Sequence, residues 1–149
     1  MYKIRKELIG VSEQEPIITN DSLRNSLTYG LIEISDANIY DWCKRLKIDN
    51  FIDSLPNGSN TSFSENIGNI SGGEKQKISQ IRVFLKNADV LVFDEPISAL
   101  DKQSIEALKQ ILCEIKKDKI VIMISHNYEI LDIVDELIKF DKIEAATVS

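Results

Sequence analysis

Residues 89–95 read Asp89-Val90-Leu91-Val92-Phe93-Asp94-Glu95, an apolar run that ends in two adjacent carboxylates. A short and fully apolar run predicts a strand that is buried on both faces, as in a parallel sheet covered by helices. A second run of this kind occupies residues 120–124 and ends at Ser125-His126. Between the two runs, residues 101–116 carry apolar side chains at helical spacing. This alternation of strands and a helix predicts an α/β fold with a parallel sheet.

The polar residues after these two strands predict where a ligand binds. Parallel sheets bind ligands beyond the carboxyl ends of their strands, so we expect Asp94, Glu95 and His126 to face one crevice. One carboxylate there can help to hold Mg²⁺ beside phosphates, and a second can act as a general base toward water. His126, the only histidine, can contact a phosphate or relay a proton. Acidic turns and loop histidines also occur without any function, so each residue alone leaves the question open.

The first part of the chain predicts one strand and several helices. Residues 8–11 predict a short strand that leads into a polar loop over residues 12–21, which contains Gln14. Helices are predicted over residues 22–29, 36–47, 50–55 and 71–87, and a last strand over residues 136–140.

The helix predicted over residues 71–87 has the clearest start signal. Ser71 can cap this helix, and Glu74 stands where it completes a capping box. Free amides at the start of the helix favour a phosphate, and Gly72 and Gly73 let the backbone approach one closely. An ordinary helix cap after a tight turn explains the same four residues.

Five segments together resemble the motifs of ATP-binding cassette (ABC) exporters, in the family's order and over nearly the whole chain. The segment around Gln14 resembles the Q-loop, and Ser71-Gly72-Gly73-Glu74 resembles the signature motif, with Glu where Gln is usual. Val90 to Glu95 resembles the Walker B strand. Ser98 to Asp101 resembles the D-loop, and Ser125-His126 resembles the H-switch. The resemblance implies the C-terminal portion of an exporter nucleotide-binding domain, with a partial P-loop NTPase-type parallel sheet flanked by helices. Residues 1–14 would form a core strand and the Q-loop, residues 15–88 the α-helical subdomain with the signature motif, and residues 89–149 the rest of the core.

The same resemblance implies ATP and Mg²⁺ as cofactors and assigns a role to each site residue. Glu95 would orient the hydrolytic water, and His126 would contact this water and the γ-phosphate. Asp94 would support Mg²⁺, and Gln14 would sense Mg²⁺ and the γ-phosphate. Asp101 would communicate across a dimer, and a nucleotide held by the opposite subunit would be touched by Ser71, Gly72, Gly73 and Glu74. The implied partners are a second nucleotide-binding domain and the exporter's transmembrane domain. They would place the assembly at the cytoplasmic face of the cell membrane, with the chain soluble if alone.

One expected motif is missing from the 149 residues. A P-loop reads G-x-x-x-x-G-K-[ST], and the only matching glycine spacing, Gly68 to Gly73, is followed by Glu74 instead of Lys. We therefore expect that the chain alone neither binds nor hydrolyses ATP appreciably. Its sheet would also have an exposed edge, which predicts marginal stability or association. Ser64 and Ile67 stand where exporters usually have glycine, which puts coupling to the transmembrane domain in doubt.

Other functions compete with that of an exporter ATPase. The chain could supply its signature motif in trans to another ABC subunit as a non-catalytic partner, or be an inactive remnant. Non-transport ABC proteins of DNA maintenance carry long coiled coils between the Q-loop and the signature motif, whereas the stretch from Gln14 to Ser71 predicts short helices without sustained heptads. The net charge of −6 argues against nucleic-acid binding, which needs a basic surface.

Overall fold

A three-stranded parallel sheet forms the centre of the fold. The computed structural model describes residues 8–63 and 70–140, and its strands are β1 (Ile9–Ser12), β2 (Val90–Asp94) and β3 (Ile120–Ile124). They lie in the order β1-β2-β3, with Val90 opposite Ile9 on one side and opposite Ile120 on the other. The predicted α/β fold and parallel sheet are confirmed, and the carboxyl ends of all three strands meet at one edge.

Five α-helices accompany the sheet within the described ranges. They are α1 (Leu23–Leu27), α2 (Asp36–Arg45), α3 (Asp49–Ser54), α4 (Gly72–Lys86) and α5 (Lys102–Ile115), with short 3-10 helices at Gly58–Asn60 and Tyr128–Ile133. The five α-helices predicted from sequence are all present, with ends that differ by at most two residues. Residues 64–69, which include Ser64, Ile67 and Gly68, lie outside the described ranges.

The capping box predicted for α4 is present. The Ser71 hydroxyl accepts a hydrogen bond from the Glu74 backbone N–H at 3.2 Å, and the Glu74 carboxylate accepts one from the Ser71 N–H at 2.7 Å. The helix ends at Asn87, which has a left-handed backbone. Ile78, Ile81 and Leu85 are buried, as their spacing predicts, and α4 packs against β1.

One face of the sheet is covered and the other is not, in the described part of the chain. Leu91 and Phe93 point into the core and are fully buried. Side chains alternate along a strand, so the intervening positions share the opposite face. Four apolar side chains on that opposite face are exposed by about half, and we call them the uncovered face: Val11, Ile120, Ile122 and Ile124. The prediction of a sheet covered on both faces is therefore wrong for these residues, because the described helices supply only one layer.

The strand predicted over residues 136–140 is also absent. This segment has no regular structure, and Leu137, Ile138 and Phe140 are 51%, 69% and 93% exposed. Its apolar pattern suits a strand, but a strand also needs a hydrogen-bonding partner. Within the described ranges β3 is an edge strand, and an open cleft of about 1010 Å³ is lined by β3 and residues 134–140. A membrane-crossing helix is likewise not found in the described ranges, where every helix is too short or too polar.

Candidate functional site

The Glu95 carboxylate lies at the centre of a hydrogen-bonded group formed where β2 and β3 end. One oxygen, Oε1, lies 2.6 Å from His126 Nδ1 and accepts a hydrogen bond from the His126 backbone N–H at 3.1 Å. The other, Oε2, accepts a hydrogen bond from the Ser125 hydroxyl at 3.2 Å. Glu95 and His126 are therefore in direct contact at the carboxyl ends of β2 and β3.

The backbone of Glu95 has an unusual conformation and is held by a hydrogen bond. Its φ is +48°, in the left-handed region that non-glycine residues rarely adopt. Such a conformation costs about 1–3 kcal/mol and persists only where the surroundings enforce it. The Glu95 N–H donates a 2.8 Å hydrogen bond to the carbonyl of Ile124, which ties the turn after β2 to the end of β3.

The Glu95 carboxyl is favoured in its ionised form. Burial raises its pKa, but hydrogen bonds from the His126 ring, the His126 N–H and the Ser125 hydroxyl outweigh this effect and lower the pKa below its ordinary value of 4.5. An ionised carboxylate whose oxygens face a histidine and a hydroxyl can accept a proton from a bound water. The His126 side chain is 83% exposed, so the group is open to a ligand.

Asp94 precedes Glu95 in the chain and Gln14 follows the neighbouring strand β1, but neither side chain hydrogen-bonds to this group. Asp94 ends β2 on the same side of the sheet as the uncovered face, and its carboxylate has no ion pair within the described ranges. Gln14 is exposed, two residues past the end of the neighbouring strand β1. No cluster of three acidic, histidine or cysteine side chains that could hold a metal occurs in residues 8–63 and 70–140. Magnesium usually takes one or two carboxylates and fills its other positions with phosphate oxygens and water, so a single carboxylate such as Asp94 fits that ion.

A second group of predicted residues lines an open cleft at the start of α4. The cleft measures about 410 Å³, and we call it the signature cleft; its lining residues are Ser71, Gly72, Gly73, Glu74, Lys77, Ala99 and Asp101. The helix start comes very close to the loop after β2, since a Cβ on Gly73 would lie 2.8 Å from the Ala99 carbonyl oxygen. A side chain at Gly73 therefore does not fit.

Asp101 has a local structural task in addition to lining the cleft. Its carboxylate caps α5, accepting hydrogen bonds from the Ser104 N–H at 3.0 Å and the Ser104 hydroxyl at 2.8 Å. These two bonds lower its pKa. Lys77 Nζ lies 3.7 Å from the same carboxylate and donates to the carbonyl of Lys47 at 3.0 Å. A cation is thus fixed at the base of the signature cleft.

The predicted site residues therefore divide into two groups. The first is the contact of Glu95 with His126 at the sheet edge, with Asp94 next to Glu95 in the chain, and the second lines the signature cleft. The structure shows no contact of Gln14 with either group. Sequence reasoning missed Gln76, which is buried between the two groups and bonds to both ends of the loop that joins them. Gln76 and Gln80 lie four residues apart on α4, away from its apolar stripe, but exposed glutamines give the same pattern, so sequence alone could not single them out.

The fold and the first group define a class: an α/β protein of the P-loop NTPase type, with carboxylates and a histidine at the carboxyl ends of adjacent parallel strands. A family model described as ABC transporter matches residues 1–98. The chain belongs to the ABC transporter family, and the resemblance stated from its motifs is confirmed.

The chain is similar to proteins named as a flippase, a transporter and an exporter. It is 33% identical over 136 residues to an ATP-dependent lipid A-core flippase of Saccharophagus degradans, covering 91% of the chain and 23% of that protein. It is 38% identical over 120 residues to the ABC-type transporter fsqE of Aspergillus fumigatus, covering 79% of the chain and 9% of that protein. A bacterial Atm1-family ABC exporter with ATP bound superposes with a TM-score of 0.75 at 30% identity, covering 82% of the chain and 22% of the exporter. The chain thus spans less than a quarter of the length of each of these proteins.

Proposed function

We propose that the chain is the signature and Walker B part of an ATP-hydrolysing exporter domain, and that a P-loop on polypeptide outside these 149 residues completes its site. The observation that carries the proposal is the hydrogen-bonded group of Glu95, Ser125 and His126 at the ends of β2 and β3. The family relationship supports ATP as the ligand.

The chemistry proposed for this group is activation of water. Glu95 is ionised at neutral pH and acts as the general base, which orients the attacking water and accepts a proton from it. His126, whose Nδ1 faces Glu95, would contact the γ-phosphate of bound ATP through its other ring nitrogen. Asp94 is the carboxylate that would hold Mg²⁺, which neutralises phosphate charge when bound, with Gln14 reaching the same ion and the γ-phosphate from the end of β1.

The uncovered face, and the edge of β3 that has no strand partner in the described ranges, support a further lobe that would carry the P-loop. Exposed apolar side chains at Ile120, Ile122 and Ile124 would be covered by a helix of that lobe, and the cleft between β3 and residues 134–140 would accept one of its strands. The signature cleft would then face a nucleotide on a second nucleotide-binding domain, and the transmembrane domain of the exporter would hold the pair at the cytoplasmic face of the membrane.

Joining the full chain to a P-loop lobe tests this proposal. The lobe would come from the Saccharophagus degradans flippase, ending where the similarity to this chain begins. We expect the chimera to hydrolyse ATP, and Glu95→Gln to lower kcat on the order of 10²-fold or more while nucleotide is still bound. Gln103→Ala, a change at an exposed position of α5, is the matched control and should retain activity. A folded chimera that binds ATP but turns it over equally fast with and without the Glu95→Gln change would contradict the role of Glu95.

A second candidate function is supported by the signature cleft. All residues of this cleft and of its capping box belong to this chain. The cleft could therefore pack against the P-loop of another ABC subunit, even if the chain had no catalytic site of its own. Adding the chain to an intact exporter nucleotide-binding domain distinguishes the two functions. Stimulation or dominant inhibition of that domain's ATPase activity supports the second function, and unchanged activity leaves the first.

A further inference from the structure

Gln76 connects the signature cleft to the turn that carries Glu95. This side chain is only 2% exposed. Its Nε2 donates to the Glu95 carbonyl at 2.7 Å and to the Ser98 hydroxyl at 3.2 Å, and its Oε1 accepts from the Ala99 N–H at 3.1 Å. One amide group thus satisfies polar groups at both ends of the segment from Glu95 to Ala99.

The hydrogen bond from Gln76 to the Glu95 carbonyl holds a residue whose backbone is strained. Glu95 has a left-handed backbone, and its N–H is already held by Ile124. Gln76 holds the other side of the residue, so the two bonds together fix the rotation of the Glu95 peptide units. The direction of the Glu95 carboxylate follows from that rotation. Gln80, one turn further along α4, donates to the Pro96 carbonyl at 2.6 Å and supports the same segment.

The opposite end of the segment belongs to the signature cleft. Ala99 lines this cleft and lies against Gly73, three residues before Gln76 on α4. A displacement of the first turn of α4 therefore moves both the lining of the cleft and the amide that holds Glu95.

We propose that Gln76 is a positioning residue, which keeps the Glu95 carboxylate against His126 and transmits the state of the signature cleft to it. The catalytic meaning of this link rests on the function proposed above, but the positioning itself does not. Gln76 acts through Glu95 and need not touch nucleotide or water.

Proton NMR of the isolated full chain tests the positioning directly. His126 is the only histidine, so its ring protons give one unambiguous set of signals. Glu95→Gln, which removes the carboxylate from His126, provides the reference shift. We expect Gln76→Met, which has a similar length but no amide, to move the His126 signals at least half of the way toward that reference. Gln103→Met on the exposed side of α5 is the matched control and should leave them unchanged.

Two results would overturn the proposal. The first is a folded Gln76→Met variant whose His126 signals match those of the original chain. The second is an unchanged His126 signal in Glu95→Gln, because the contact that Gln76 is said to position would then be missing. If Gln76→Met does not fold, as judged by its thermal melt, Gln76→Glu replaces it, since that variant keeps the acceptor for Ala99 and loses the donor to Glu95.

The chimera supplies a separate kinetic readout. There, Gln76→Met should lower kcat on the order of 10²-fold, as displaced catalytic groups do, with the KM for ATP changed less than about threefold. An inactive chimera would count against the proposed function, while the NMR result would still decide the positioning role.

Discussion

Glu95 joins the two strands whose ends form the candidate site, and its ionisation contributes to the stability of the fold. The carboxyl has a lowered pKa in the folded chain because His126 and Ser125 donate hydrogen bonds to its charged form, although burial opposes this. A lowered pKa means that the folded chain binds fewer protons here than the unfolded chain. The stabilisation is therefore present above the ordinary pKa of 4.5 and is lost as the pH falls through the folded value.

The lowered pKa of Glu95 gives a prediction for the Glu95→Gln variant. The free energy of unfolding of the original chain should exceed that of the variant at pH 7, and the difference should shrink as the pH is lowered below 4.5. Urea denaturation at a series of pH values between about 7 and 3.5 measures it. A difference that stays constant over this range would show that the hydrogen bonds do not favour the ionised carboxylate.

Sequence predicted Asp94, Glu95 and His126 as candidate site residues because they follow apolar runs, and parallel strands bring such positions to one edge. It could not provide the left-handed backbone of Glu95, since nothing in the sequence marks a glutamate for that conformation. Sequence also could not indicate the role proposed for Gln76. Its three hydrogen bonds depend on how α4 crosses the loop after β2, which is a matter of tertiary packing.

Among the helices and strands, the close approach of α4 to the loop after β2 decides which side chains fit at the signature glycines. A Cβ on Gly73 would lie 2.8 Å from the Ala99 carbonyl oxygen, whereas a Cβ on Gly72 would meet the Ala99 methyl at an ordinary 3.6 Å. Both glycines lie in the first turn of α4 with helical backbones. The two positions therefore form a matched pair.

We expect Gly73→Ala to lower the free energy of unfolding by about 1–3 kcal/mol, because the backbone at Ala99 must move. Gly72→Ala should leave it unchanged or raise it by less than about 1 kcal/mol, because alanine is the better helix former. Chemical denaturation of the two variants side by side makes the measurement. Equal effects at both positions would contradict the packing of α4 on this loop.

The helices and strands were mostly predictable because their local signals are strong. The cap at Ser71 and the apolar runs at residues 90–94 and 120–124 each match the observed elements closely. The strand predicted over residues 136–140 failed for a different reason. A strand requires a pairing partner, and pairing cannot be inferred from the apolar pattern of one segment.

Across the described fold, the uncovered face and the edge of β3 expose apolar surface that a stable domain would normally bury. Exposed apolar sheet edges promote association between chains. We expect the isolated chain to associate as its concentration rises, and Ile122→Thr, which keeps β-propensity but removes an exposed apolar group from β3, to reduce that association. Light scattering coupled to size-exclusion chromatography measures both. A monomer at every concentration, with a cooperative melt, would argue against an incomplete sheet.

The function that we propose requires these loops to act on a triphosphate whose main binding loop is supplied by other polypeptide. A missing P-loop removes at least four charge-assisted contacts of about 1.5–3 kcal/mol each, and even about 6 kcal/mol weakens affinity by more than about 10⁴-fold. Calorimetric titration of the isolated chain with ATP and Mg²⁺ tests this requirement. We expect no saturable binding up to about 1 mM ATP, whereas a Kd in the micromolar range would show that the chain holds ATP without a P-loop.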